Sequence, residues 1–256
     1  MRHLRWDACR NVRDLGGYAV AGGSTTRWGA FVRADNLVRL TPAGRAALLD
    51  YGVRTIVDLR RPEELAVDPS PFAPAGAGAG LVAYHSLPFG AGADSAGIAA
   101  VVAAEAAEDF SMDALYRAIL DHYGRGIAAI MTALAQAPEG PALFHCHAGK
   151  DRTGLIAALI LALVGVPHAT IAEDYTLTQV CLQPVYDQRL SAEPDPSKRE
   201  QLARRTGAVP ETMLGILAHL DARHGGAEAY LRAAGVAAED VARLRRRILG
   251  GDPPTR

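Results

Sequence analysis

Cysteine is scarce in this chain. Cys9, Cys146 and Cys181 are an odd number of thiols spread widely through 256 residues. That excludes a disulfide framework, and a chain of this length can bury enough core to do without one. Neither sign of charge predominates, since 27 Lys and Arg against 28 Asp and Glu leave a formal net charge of −1. General binders of nucleic acid or anionic membranes carry a basic excess, so any anion held here must be met by a local site. Long apolar runs are missing as well: the longest, Leu155 to Val166, is too short to span a bilayer and reads as a buried core helix. The opening residues, MRHLRWDACRNVRDLGG, scatter charge and contain no apolar segment of signal-peptide type. The expectation is a cytoplasmic protein with no stable membrane insertion, although export without a readable signal stays open.

What is present alternates between strand and helix patterns. Glycines between Gly16 and Gly29 suggest a short hairpin, and Ala30 to Arg33 a strand. Thr41-Pro42 reads as an N-cap followed by proline at the first helical position, opening a helix to about Tyr51. RTIVDLR, Arg54 to Arg60, has the β-branched centre of a buried strand, RRPEE reads as a helix start, and Leu81 to Ser86 as a further strand within a Pro- and Gly-rich stretch. Helical patterns cover about 99–108, 112–123, 127–136, 153–164, 170–178, 211–223 and 237–249, with Ser191 to Lys198 as a flexible connection. Strands interleaved with helices indicate an α/β fold. No repeat or linker forces a split, so a single domain over 1–256 is expected, with about 184–235 as a helical lid or cover.

The chemistry gathers in FHCHAGKDRTGLIAAL, residues 144 to 159. A short apolar strand, PALFHC, runs into a glycine-containing turn and then a helix, an arrangement suited to an anion. If the turn wraps at the helix start, the N–H groups of His147 to Arg152 line a nest for a tetrahedral dianion, and Arg152 can clamp two of its oxygens. A cysteine in that field favours the thiolate, and the Thr153 hydroxyl is placed to donate to its sulfur. Other readings compete. His145, Cys146 and His147 as metal ligands lack a second cluster at zinc spacing, and adjacent strand residues face opposite ways. A nucleotide-binding P-loop is excluded because Gly-x4-Gly-Lys-Ser/Thr is absent. A structural cysteine leaves the clustered charge unexplained.

HCHAGKDRTG resembles the signature loop of the cysteine-dependent phosphatases, His-Cys-x5-Arg-Ser/Thr, with His145, Cys146, Arg152 and Thr153 in the fixed positions. NVRDLGG, FVRADNLVRLTPAGRAAL, VDLRRPEE and AYLRAAGV extend the similarity, from Asn11 to about Leu249, to the PtpB-like bacterial tyrosine phosphatases. The resemblance implies a three-layer α/β phosphatase fold, a central mostly parallel sheet flanked by helices, and a lid in the C-terminal half.

It also implies a phosphomonoester hydrolase working through a phosphocysteine on Cys146, with Arg152 and the backbone of His147, Ala148, Gly149, Lys150, Thr153 and Gly154 holding the phosphoryl group. No metal or organic cofactor is implied. Asp151 is the first choice as general acid, because it lies in the loop and resembles the loop aspartate of the family; Asp94, in GAGAD after HSLPF, is the displaced alternative. Asp151 as a structural partner of an arginine remains a competing reading. Lys150 either meets a second phosphate at the pocket rim, as similar loops in phosphoinositide phosphatases suggest, or strengthens the local field. The expected partner is a phosphorylated protein, phosphotyrosine first and phosphoserine or phosphothreonine besides, with a phosphoinositide as the rival and a silent phosphate-binding module as the reading from another class. Nucleic acid is not expected, and the sequence leaves the oligomeric state open.

Overall fold

The computed structural model describes residues 2–250. Its five-stranded sheet has the order β1 (Arg13–Asp14), β2 (Phe31–Ala34), β5 (Ala142–His145), β3 (Thr55–Asp58), β4 (Ala83–Ser86). Strand β5 lies at the centre, parallel to β2 and β3, with Leu143 opposite both Val32 and Ile56. Strand β4 is parallel to β3, and only the two-residue β1 is antiparallel. All four residues of β5 are buried, as a strand covered on both faces requires, so its sequence reads as an apolar run without alternation.

Alternation reappears in which core each side chain joins. Phe31, Val57, Ala142 and Phe144 belong to the larger cluster, whereas Val32, Ala34, Ile56 and Leu143 belong to the smaller one on the opposite face. The smaller cluster is closed by α1 (Pro42–Asp50), the segment from Trp6 to Val12, and Phe72. Thr41 caps α1, accepting from Gly44 N at 3.1 Å, with Pro42 in the first turn, as the sequence indicates.

The larger cluster takes up α4 (Met112–His122), α5 (Gly124–Gln136), α6 (Asp151–Leu163), α9 (Pro210–His224), α10 (Ala227–Ala234) and α11 (Ala238–Leu249). Helix α6 is apolar on nearly every side, from Leu155 through Leu161, because it runs through the middle of this core. Each fully buried Leu or Ile there contributes about 1.5–3 kcal/mol. Helices α2 (Pro62–Val67) and α3 (Ser95–Ala106) line a cavity beside Asp151 and Arg152.

Two expectations are corrected. The helix read as 170–178 is α7, His168–Ala192, which continues through Pro184. A proline leaves the carbonyl four residues earlier without its partner; that residue is Val180, which is exposed, so water can serve instead. The flexible connection at 191–198 is shorter than expected, since α8 begins at Pro196 with Asp195 as its N-cap. Within 184–235, Met213, Ile216, Leu217, Leu220, Tyr230 and Leu231 sit in the larger cluster, and the end of α7 and α8 (Pro196–Thr206) are more peripheral. Among the described residues, no helix is long and apolar enough to cross a membrane.

Candidate active site

Strand β5 ends at His145 and α6 starts at Asp151, so Cys146 to Lys150 form the connecting turn. Gly149 sits at φ +63°, and a Cβ there would come within 2.5 Å of Ala34 O. Both facts require glycine. The carbonyls of the turn are tied outward. His145 O accepts from Leu59 N at 2.8 Å, His147 O from Asn36 N at 3.0 Å, and Ala148 O and Gly149 O from Asn11 Nδ2 at 3.0 and 3.1 Å. Arg33 Nη2 donates to Gly149 O as well, at 2.8 Å. Among the described residues, no acceptor pairs with the N–H groups of His147 to Arg152. Peptides whose carbonyls face outward present their amides inward, which is the electrostatic requirement for an anion nest.

Behind the turn, Arg13, Arg33 and Asp174 form a fully buried assembly. Asp174 Oδ1 accepts from Arg13 Nε at 3.2 Å and from Tyr18 Oη at 2.6 Å, and its Oδ2 from Arg33 Nη1. Burial alone would raise this carboxyl, but the two guanidinium groups and Tyr18 outweigh it and hold it far below the usual carboxylate range.

Cys146 is buried at the floor of the turn, within the larger core cluster. Arg152 points from the first turn of α6 toward α2, where Nη1 and Nη2 donate to Glu64 Oε2 and Oε1 at 2.6 and 2.8 Å. Glu64 Oε2 also accepts from Arg61 N at 2.8 Å. Burial would raise the Glu64 carboxyl, yet the hydrogen bonds from Arg152 outweigh it and lower it to about 2. Glu64 thus fixes one edge of the guanidinium, and no described residue occupies its Nε. His145 is fully buried, with Nδ1 3.1 Å from Cys146 O and Nε2 3.3 Å from Asp58 Oδ2, near enough for attraction though outside hydrogen-bond geometry. The expected bond from Thr153 to the cysteine sulfur is not formed; Thr153 Oγ1 is buried without a partner.

Asp151 is partly exposed and accepts from Tyr116 Oη through Oδ1; that hydroxyl lies 3.1 Å from Tyr175 Oη. Lys150 is not at the rim as expected. It is buried, its Nζ donating to Arg205 O and, at 3.1 Å, to Gly207 O at the end of α8, with Asp151 Oδ1 3.3 Å away. Arg205 reinforces that docking by donating from Nη2 to Glu105 O at 2.8 Å. The two contacts hold α8 beside a cavity of about 660 Å³ whose apolar wall includes Phe89, Met112, Tyr116 and Tyr123 and whose charged lining includes Asp151 and Arg152 together with Arg61, Glu63, Glu105 and Arg205. Asp94 is elsewhere, capping α3 by accepting from Gly97 N at 2.7 Å.

A sequence model of the tyrosine phosphatase family matches residues 4–250. The chain belongs to this family. The phosphatase is 32% identical over 227 residues to a tyrosine-protein phosphatase of Nostoc commune, a match covering 86% of this chain and 74% of that protein. It is 29% identical over 275 residues to the triple specificity protein phosphatase PtpB of Mycobacterium tuberculosis, covering 94% and 96% respectively. These relationships make it a phosphoric monoester hydrolase.

Sequence reasoning did not single out Tyr116 or Asp174, which the fold of this phosphatase brings to the loop. Asn11, Arg33 and Glu64 lay inside segments that carried the family resemblance, without a role in the chemistry. A buried-strand pattern containing an arginine, FVRA, was the one available signal, since a buried guanidinium demands an acid and a reason.

Proposed function

We propose that this phosphatase hydrolyses phosphotyrosine in proteins, with phosphoserine and phosphothreonine as further substrates, through a phosphocysteine on Cys146. The observation that carries the reading is the turn itself: outward-tied carbonyls, unpaired amides, and Cys146 and Arg152 at its two ends. The Cys146 thiolate attacks phosphorus, the S–P bond forms as the P–O bond to the leaving group breaks, and the leaving oxygen takes a proton from Asp151. Loop amides and the free edge of Arg152 stabilise the charge on the equatorial oxygens. Water then attacks phosphorus, giving its proton to Asp151 as the thiolate departs with inorganic phosphate released.

An aryl leaving group is favoured by the apolar cavity that begins at Asp151 and Arg152. One observation favours a phosphoinositide instead: Arg10, Arg39 and Arg189, with Asp35 among them, line a small hollow of about 30 Å³ beside His147 and Ala148 on the other flank of the turn, a cationic excess that would attract a second phosphate. On its cysteine usage, we place the protein in a reducing compartment.

The test measures phosphate release by the wild type and by Cys146→Ser, in the presence of EDTA, from a phosphotyrosine peptide, a phosphoserine peptide and a phosphoinositide. Release from the phosphotyrosine peptide that disappears in Cys146→Ser is the expected result. Preference for the phosphoinositide would transfer the assignment to lipids. Binding of phosphate without release from any of the three would replace the enzyme with a binding module.

A further inference from the structure

Away from the signature loop, the end of α4 meets the end of α9. Asp121 Oδ1 lies 3.0 Å from His219 Nε2 and 2.8 Å from His224 Nε2. The three donor atoms fall within 4.8 Å of one another, and the two rings stand edge to face with centroids 5.6 Å apart. Two imidazoles facing one carboxylate oxygen are an unusual use of a surface. A single ion pair would need only one histidine.

We propose that Asp121, His219 and His224 bind a divalent transition-metal ion of the zinc class. Zinc bonds to imidazole nitrogen and carboxylate oxygen are about 2.0–2.2 Å long, so tetrahedral donors stand about 3.3 Å apart, a few tenths of an ångström beyond the nitrogen-to-oxygen separations here. Small outward rotations of the rings make room for the ion. Imidazole donors favour zinc, copper, nickel or cobalt over magnesium and calcium, which take oxygen ligands.

The proton balance permits binding. Among the described residues no protein group pairs with Nδ1 of either ring, so each neutral imidazole can carry its proton there and present the Nε2 lone pair. Asp121 supplies the carboxylate oxygen that both rings face. The donors are partly exposed, and a hollow of about 390 Å³ lined by Asp121, His122, His224 and Tyr230 leaves space for water in the remaining coordination position. His224 is further fixed against Tyr230, with ring centroids 5.0 Å apart.

The site ties α4, which carries Tyr116, to α9, which follows α8 in the chain. It lies outside the proposed chemistry. Its expected consequence is stiffening of the wall beside the cavity.

The decisive measurement is zinc binding to untagged protein by isothermal titration, in a Cys146→Ser background so that the nucleophile cannot be the ligand. The expected result is one saturable site, weakened by at least about tenfold in His219→Gln and in His224→Gln, since outer-sphere changes alone reach 10–100-fold. Glutamine can still donate to Asp121 but is a poor ligand, which separates metal binding from a purely hydrogen-bonded contact. Zinc at about a hundredfold excess over the wild-type Kd should raise Tm by roughly 5 °C or more in that background, and by about half as much or less in the histidine variants. Cobalt should give visible bands that Asp121→Asn abolishes. Absence of a saturable site, or affinity unchanged in both glutamine variants, would overturn the proposal.

Discussion

The two sides of the signature turn are built on opposite plans. Behind it, Asp174 has both carboxylate oxygens taken, by Arg13 and Tyr18 on one and Arg33 on the other, and the groups are out of contact with water. In front, each group is engaged on one edge only. Arg152 gives Nη1 and Nη2 to Glu64 while Nε has no described partner, and Asp151 uses Oδ1 for Tyr116 and Lys150 while Oδ2 has none. A buried carboxylate with both oxygens taken holds the turn in place, even though Arg33 Nε beside it has no described partner, and the half-filled groups in front, aimed by their partners, retain a free edge for a substrate.

Breaking the rear should give the largest effect on stability. Asp174→Ala leaves two buried guanidinium groups uncompensated and should cost about 3–5 kcal/mol, measured by urea unfolding. The carboxyl is depressed in the folded state, so its contribution is present above the ordinary carboxylate range and is lost as the pH falls through its folded value. A loss no greater than that of a surface substitution would erase the distinction between the two sides.

Gly149→Ala tests the turn between them. A side chain at φ +63° and 2.5 Å from Ala34 O must push the turn off β2. The left-handed backbone alone costs about 1–2 kcal/mol, and a displacement near 1 Å should lower kcat/KM by about 10²-fold. Near wild-type kcat/KM in a folded variant would show that the turn tolerates a different path.

At the front, Glu64→Gln should leave the melting temperature within a few degrees of wild type at neutral pH while lowering kcat/KM by about 10-fold or more, because Arg152 loses its aim. Glu64 is depressed from 4.5 to about 2, so its stabilising contribution is complete above about pH 4.5 and disappears as the pH falls toward 2. Wild type and Glu64→Gln should therefore converge in stability over that window, as followed by acid titration of the unfolding midpoint. Parallel curves would show that the carboxylate contributes nothing to the fold.

Asp151→Asn should reduce turnover more for alkyl than for nitrophenyl leaving groups, whereas an equal fall would remove its role as acid. The smallest effect is expected from Tyr116→Phe. It deletes only the hydroxyl that Asp151 accepts from and keeps the ring in the core, so a fall of less than about 10-fold, again dependent on the leaving group, is expected.

The sequence by itself determined whatever depends on neighbours along the chain. The apolar run of β5, the glycine turn and the helix after it could be read directly, as could the spacing from Cys146 to Arg152 and the Thr41-Pro42 start of α1. Turn geometry, capping and strand burial act over a few residues, so they leave local patterns. Boundaries failed where tertiary contacts override local preference, as in α7 running through Pro184. The fold alone decided the partners of each charge: Glu64 on Arg152, Asp174 behind the turn, and Lys150 turned away from the rim to the carbonyls of Arg205 and Gly207. Pairing of a charge with a partner 55 to 161 positions away has no period and no spacing rule; a buried charge must find a counter-charge or acceptor, and only the packing of helices on the sheet brings one within reach.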